Sequence, residues 1–339
     1  MDIRPGEVEK NRIKVRLEQI LVQNNFVICL SLKSMTSSIP ERLLFVQHGW
    51  ADTNGAMARL GRRVAPANTK IIAPNLGWWR TWLRLEPLVQ DVETIATQTI
   101  SEHPQLPMRV VGHSMGGLIW LEVLYRHPEW WPRVESFVLV GSPVGGSDVC
   151  RMMDPLEVGL GIARDLGKNR RSIASAIAAQ VPTLSIASNT DGGSDGLIML
   201  GATQFDYAHH VVLPNIVHSA QRHDEAIDQA IREFWQSPRQ PLAVQPSPEL
   251  EIIQRLQAVP GMTDAHRRDF EKAKVALSFD SGLTLRLWKN PARVDHVFLA
   301  CPQGQCLYSG FVGWIHAGAL RQTLREIQSE FAGKVTGMA

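Results

Sequence analysis

Gly112-His113-Ser114-Met115-Gly116 sets a serine between two glycines, directly after the apolar Val110-Val111 and directly before a helical pattern that begins at Leu118. A sharp strand-to-helix turn at this point throws Ser114 into a strained conformation, and the flanking glycines remove Cβ clashes with neighbouring backbone. The helix that follows aims its N-terminal dipole at the same place, where it favours an oxyanion. Ser114 therefore reads as a nucleophile for acyl transfer, a reaction that needs a base to take the hydroxyl proton. A second group of reactive side chains is Cys301 and Cys306, which bracket Pro302-Gln303-Gly304-Gln305. Proximity across a hairpin turn accounts for that pair. A metal site would need ligands nearby, and His296 and His316 lack the usual zinc spacing.

The elements that must position Ser114 are short apolar runs ending in turns. Such runs occur at 41–47, 70–74, 109–112, 136–141, 182–187 and 211–214, each with the signature of a buried strand. Helical periodicities separate them, with Leu88, Val92, Ile95 and Thr99 on one face, Leu118, Leu121, Val123 and Leu124 on another, and a further helix over 226–234. Strands alternating with helices argue for an α/β, doubly wound and mostly parallel sheet whose functional groups lie on loops at the carboxyl ends of the strands. Residues 237–248, with Pro238, Pro241, Pro246 and Pro248 among Gln and Ser, read as an extended linker. A small α+β unit is expected over 249–339, with helices at 249–259, 264–277 and 319–331 and strands at 283–288, 296–300 and 307–315. Residues 1–39 read as an N-terminal extension.

At Gly112-His113-Ser114-Met115-Gly116-Gly117 the sequence resembles the α/β-hydrolase superfamily and, within it, the lipases and esterases. The resemblance covers about 40–236 and implies the same order of strands and helices. It implies that His48-Gly49-Trp50 is the turn whose third residue donates a backbone N–H to the oxyanion, so that Trp50 and Met115 supply the two oxyanion donors. The acid is expected after the strand that ends at Ala187. Asp191 and Asp195 compete for the role. Asp195, followed by Gly196-Leu197-Ile198, is more similar to the family pattern, leaving Asp191 to shape a glycine-rich turn. Among eleven histidines, His218 follows the last strand and precedes a helix as the family's base does, whereas His223 sits inside that helix. Ser114, Asp195 and His218 also keep the superfamily's chain order. In these roles His218 takes the Ser114 proton and Asp195 fixes its tautomer.

Gly141-Ser142-Pro143-Val144-Gly145-Gly146 resembles the G-T-P-x-x-G segment of many lipases, departing from it at Ser142, and makes Val144 a candidate substrate-binding residue. Trp78 and Trp79 are candidates for the wall of an acyl or aromatic pocket. Equally, Trp78, Trp82 and Leu85 keep helical spacing and pack. The excursion over 148–180 carries two amphipathic stretches, which fit either a lid or a packed helix pair.

In 339 residues, 35 Lys and Arg nearly balance 33 Asp and Glu, so the charge supplies no footprint for nucleic acid. Four cysteines are too few and scattered for a secreted disulfide scaffold, and a reducing, cytoplasmic setting is expected. No apolar run approaches the length of a membrane span, although transient membrane contact is compatible with a lipid-like substrate. The expected activity is cleavage of a carboxylic ester through an acyl-enzyme, with no metal or organic cofactor. Thioesterase, amidase or acyltransferase chemistry would use the same residues, and an inert hydrolase scaffold bearing a C-terminal interaction unit is the alternative of a different class. The unit at 249–339 is expected to act on substrate or partner rather than on the bond-breaking step.

Overall fold

A computed structural model describes residues 39–147, 161–237, 241–242, 247–331 and 335–338. The described residues from 41 onward belong to one compact unit. The N-terminal extension except its last residue, residues 148–160 of the excursion and most of the Pro-rich linker lie outside the described residues.

Six strands build the first sheet: β1 (Arg42–Gln47), β2 (Thr69–Ile72), β3 (Met108–His113), β4 (Val134–Val140), β5 (Thr183–Asn189) and β6 (His209–Pro214). They lie in the order β2-β1-β3-β4-β5-β6 with every neighbouring pair parallel. All six apolar runs of the sequence thus become strands of one sheet. Continuous apolar runs are required because both faces are covered. Leu43 and Phe45 of β1 enter one core with α2 (Leu85–Glu102) and α3 (Met115–Arg126). Leu44 and Val46 enter the other, with α1 (Asn54–Val64) and α6 (Glu225–Gln236). The strand order reverses between β1 and β3, so the turns that leave these two strands diverge to opposite sides and leave a crevice at their carboxyl ends. Gln47 of β1 pairs with Gly112 of β3, which puts the turn at 48–50 beside Ser114.

Two short helices of the excursion, α4 (Gly161–Leu166) and α5 (Arg171–Ala178), contribute Ile162, Leu166, Ala174 and Ile177 to the core that holds α2 and α3. Their described faces are packed.

The C-terminal residues form a second six-stranded sheet, ordered β12-β8-β9-β10-β11-β7 and antiparallel throughout. Its strands are β7 (Met262–Asp264), β8 (Lys274–Phe279), β9 (Thr284–Lys289), β10 (Asp295–Ala300), β11 (Cys306–Val312) and β12 (Val335–Met338). Helices α7 (Pro248–Ala258) and α8 (Ala317–Glu330) cover one face through Ile252, Leu256, Leu320 and Ile327. The helix expected over 264–277 does not form: β7, a 3-10 turn at Arg267–Lys272 and β8 occupy that stretch. Leu277 and Phe279 alternate into the core, and this period of two, set by cross-strand packing, prevails over the helical spacing of Phe270, Lys274 and Leu277.

The C-terminal sheet and α7 meet the preceding α/β part of the chain through polar contacts. Arg171 of α5 pairs with Asp264 of β7, Asn169 Nδ2 donates to Gln257 O at 2.9 Å, and Gln254 Nε2 donates to Asp206 Oδ2 at 3.0 Å. A cleft of about 980 Å³ lies between α5 and α7, bordered by Lys168, Ser172, Phe205, His210 and Ile253. Ser114, Asp195 and His218 do not border it.

Candidate active site

Ser114 joins β3 directly to α3 with φ 55° and ψ −127°, in the positive-φ region that L residues rarely adopt. Such strain persists only where the surroundings over-determine it. Here they do so through close packing of backbone. A Cβ on Gly112 would come within 2.4 Å of Gly117 Cα, and one on Gly116 within 2.3 Å of the Gln47 carbonyl oxygen. Strands β1 and β3 therefore approach α3 more closely than any side chain at those two positions would permit. Met115 opens α3, so its N–H is among the first four of the helix, which lack an acceptor within it.

The turn after β1 reaches the same spot. A Cβ on Gly49 would lie 2.9 Å from Ser114 Cβ and 3.2 Å from Met115 N, which puts His48-Gly49-Trp50 against the serine and the helix start. Buried His48 locks this turn. Its Nε2 accepts from Leu76 N–H at 3.1 Å, so its Nδ1 carries the proton and donates to Gly49 O at 3.0 Å. Burial lowers the pKa of His48, in keeping with a neutral ring. Beyond Trp50, Ala51 takes φ 51° and its N–H donates to Thr81 Oγ at 3.0 Å, while that hydroxyl donates to Trp78 O at 2.6 Å. Buried Thr81 thus ties the tryptophan loop to the turn.

His218 begins a 3-10 turn, His218–Ala220, after β6. Its Nδ1–H donates to Asp195 Oδ2 at 2.7 Å, and its backbone N–H donates to Asp195 O at 3.0 Å. Asp195 is 2% exposed, and its carboxylate is fully engaged. Oδ1 accepts from the N–H groups of Leu197 and Ile198 at 3.0 and 2.7 Å, and Oδ2 also accepts from Gln221 Nε2 at 2.8 Å. With the proton held on Nδ1, the lone pair of His218 resides on Nε2, the state a general base requires. His113 packs its ring 4.8 Å from that of His218 and donates from Nε2 to His218 O at 3.1 Å. Burial drives the pKa of His113 far down, so it braces His218 without adding charge.

Asp191 is engaged elsewhere. Its Oδ1 accepts from Gly193 N–H and Ser194 N–H at 3.2 and 2.7 Å, and Oδ2 accepts from Ser194 Oγ at 2.6 Å. His223 stands outside the hydrogen bonds that join His218, Asp195 and Gln221.

The structure does not gather every residue singled out from the sequence. Trp78 and Trp79 are 41% and 76% exposed and contact each other, with ring centroids 4.9 Å apart. Trp82 packs on Trp78, with centroids 5.5 Å apart, and lies edge-on to Trp50 at 4.4 Å. Val144 is wholly buried and packs in the same core as Met115 and Leu118. Conversely, Gln221, His113 and Thr81 hold the site and were not singled out. Gln221 follows His218 by three residues in a 3-10 turn, but neither its type nor its spacing distinguishes it in sequence. Cys301 and Cys306 have free thiols, and burial pushes that of Cys306 up to about 11. Among the described residues no group of three or more His, Cys, Asp and Glu side chains is placed to hold a metal ion, and no helix is long and apolar enough to cross a membrane.

A parallel sheet with this strand order, carrying a serine on the strained turn from β3 into α3 at the switch of winding direction, is the α/β-hydrolase fold. The chain belongs to the family described as Serine aminopeptidase, S33, which it matches over residues 38–212. It is 30% identical over 116 residues to a monoacylglycerol lipase of Mycolicibacterium smegmatis, a match covering 32% of this chain and 40% of that protein. The chain thus spans less than half the length of that relative. Similar solved structures include a Bacillus licheniformis lipase in mature form, with TM-score 0.46, 13% identity and coverage of 59% of this chain and 93% of that one. A monoacylglycerol lipase of Paleococcus ferrophilus has TM-score 0.41, 15% identity and coverage of 59% and 96%.

Proposed function

We propose that the protein cleaves a carboxylic ester through an acyl-enzyme on Ser114, with His218 as general base and acid and Asp195 as its orienting carboxylate. The observation that supports this reading is the 2.7 Å hydrogen bond from His218 Nδ1 to Asp195 Oδ2, with the His218 ring 4.8 Å from that of His113, the residue before the strained Ser114 at φ 55°. In the acylation step Ser114 Oγ bonds to the ester carbonyl carbon while His218 Nε2 takes the hydroxyl proton, and the carbonyl oxygen gains the electron pair. The N–H groups of Trp50 and Met115 stabilise that oxygen, each such donor typically contributing about 3–4 kcal/mol to the transition state. The tetrahedral intermediate then expels the alcohol with a proton from His218, and water repeats the sequence to release the acid.

The relationship to a monoacylglycerol lipase makes a glycerol monoester the first substrate to try. The family's description favours a second reading, cleavage of an aminoacyl amide by the same residues. A fluorophosphonate probe followed by peptide mapping tests the nucleophile, and modification anywhere other than Ser114 removes it from the role. A panel of monoacylglycerols, p-nitrophenyl esters and aminoacyl anilides of graded length separates the two readings. Turnover of anilides alone would replace the ester reading with the amide one.

A further inference from the structure

The loop that delivers Asp195 is bounded on its outer side by the C-terminal sheet. His266, in the connection from β7 to β8, lays its ring on this loop. A Cβ on Gly193 would meet His266 Nε2 at 3.1 Å. The tautomer is fixed by backbone, because Arg268 N–H donates to His266 Nδ1 at 2.9 Å. The proton therefore lies on Nε2, which donates to Asp191 Oδ1 at 3.3 Å. Asp191 in turn receives Ser194 through both its N–H and its hydroxyl. Ser194 Oγ then accepts from Gly196 N–H at 3.0 Å, on the far side of Asp195. This continuous series runs from His266 across the residues immediately before and after Asp195. A second tie holds the loop's other end, where Arg171 Nη2 donates both to Gly201 O at 2.8 Å and to Asp264 of β7.

We propose that His266 is a positioning residue for the hydrolase site, fixing the Asp191-Ser194 turn so that Asp195 meets His218 Nδ1 in the correct place. The consequence for rate rests on the acyl-transfer reading above. The contribution is one of placement: the Asp191 side chain is 44% exposed, so solvent screens any direct field from it at the triad. Misplacement of a catalytic group by about 1 Å can cost about a hundredfold in rate, and the loop has its own hydrogen bonds to limit the drift. Loss of His266 is therefore expected to lower kcat about tenfold, leaving KM for a small ester nearly unchanged.

The test uses the full chain as His266→Ala and His266→Gln, the glutamine placing an Nε2–H donor near the original one. Four readouts are compared with wild type: kcat and KM on p-nitrophenyl butyrate, the rate of fluorophosphonate labelling, the thermal midpoint, and the low-field proton resonance of His218 Nδ1–H, assigned by its loss in His218→Ala. The expected result is a fall in kcat and labelling rate with a shifted or broadened resonance in His266→Ala, and recovery of both in His266→Gln. Wild-type kcat and resonance in His266→Ala overturn the proposal, as does a loss that follows the thermal midpoint and is not recovered by glutamine. If wild type neither labels nor cleaves esters while the resonance still answers to His266, the acyl-transfer reading fails and the positioning role stands.

Discussion

Asp191 and Asp195 stand four residues apart in one glycine-rich loop, yet only Asp195 accepts from His218, the histidine whose ring packs on His113 next to Ser114. Asp195→Asn would replace one accepting oxygen with an amide that donates, so that His218 is met by a donor where its own Nδ1–H should lie. Turnover is expected to fall on the order of 10³–10⁴-fold, measured as kcat on a p-nitrophenyl ester. Asp191→Asn should cost far less, since it acts on Asp195 only through Ser194. A larger loss at Asp191 would reassign the acid. Ser114→Ala should abolish turnover with a thermal midpoint within a few degrees of wild type, because one hydroxyl leaves and the backbone turn stays. The strained turn at Ser114 was legible because the serine, its flanking glycines and the helix start are adjacent in the chain. Gln221 was not, because it earns its place only when the 3-10 turn brings it back over a carboxylate 26 residues earlier.

At the level of elements, the parallel strands could be read because burial on both faces demands continuous apolar runs such as Leu43-Leu44-Phe45-Val46. Strand β8 could not. Its burial depends on one face only, and Lys274-Val275-Ala276-Leu277 also satisfies a helical spacing until β9 and β12 pair with it. Glycine positions give the sharpest element-level expectation. Gly116→Ala would set a methyl 2.3 Å from the Gln47 carbonyl oxygen, an immovable backbone atom. Strand β1 and helix α3 must separate, and overpacking of this kind costs about 1–3 kcal/mol. Urea unfolding should register that loss, together with a fall in kcat as the turn at 48–50, the proposed oxyanion donor, moves away from Met115. Retention of wild-type stability and rate would show that β1 and α3 yield more easily than their contacts imply. Gly141→Ala should act more locally. There φ is +56° and the added methyl would approach Gln221 Oε1 at 2.3 Å and His218 Cε1 at 3.2 Å, so kcat should fall more than stability.

Across the whole molecule, several histidines are held neutral by burial, and they set how stability depends on pH. His48, His113, His210 and His296 all have pKa values below the ordinary 6.5, with desolvation as the largest cause in each. For His210 the value falls to about 4. Its hydrogen bonds agree, since Gln204 Nε2 donates to Nδ1 and the remaining Nε2–H donates to Thr203 Oγ at 2.8 Å. Below pH 6.5 the unfolded chain takes up a proton on each of these rings that the folded chain refuses, so stability rises with pH across this interval and falls on acidification. For His210 the loss begins near pH 6.5, grows until about pH 4 and then levels; the interval corresponds to at most about 3 kcal/mol. Carboxylates act in the same direction at lower pH. Burial would raise Glu135 and Asp165, but Arg42 and Arg109 around the first, and Leu85 N–H with Arg84 around the second, outweigh it and hold both pKa values down. Their stabilisation is present above the ordinary carboxylate range and is lost as pH falls through their lowered values. Chemical denaturation of the full chain between pH 7.5 and 4 should therefore show a steady loss of stability that starts well above the carboxylate range. In His210→Gln, which keeps a donor toward Thr203 but cannot titrate, the part of that loss between about pH 6.5 and 4 should shrink. An unchanged slope in this variant would mean that His210 takes up its proton in the folded protein as readily as in the unfolded chain.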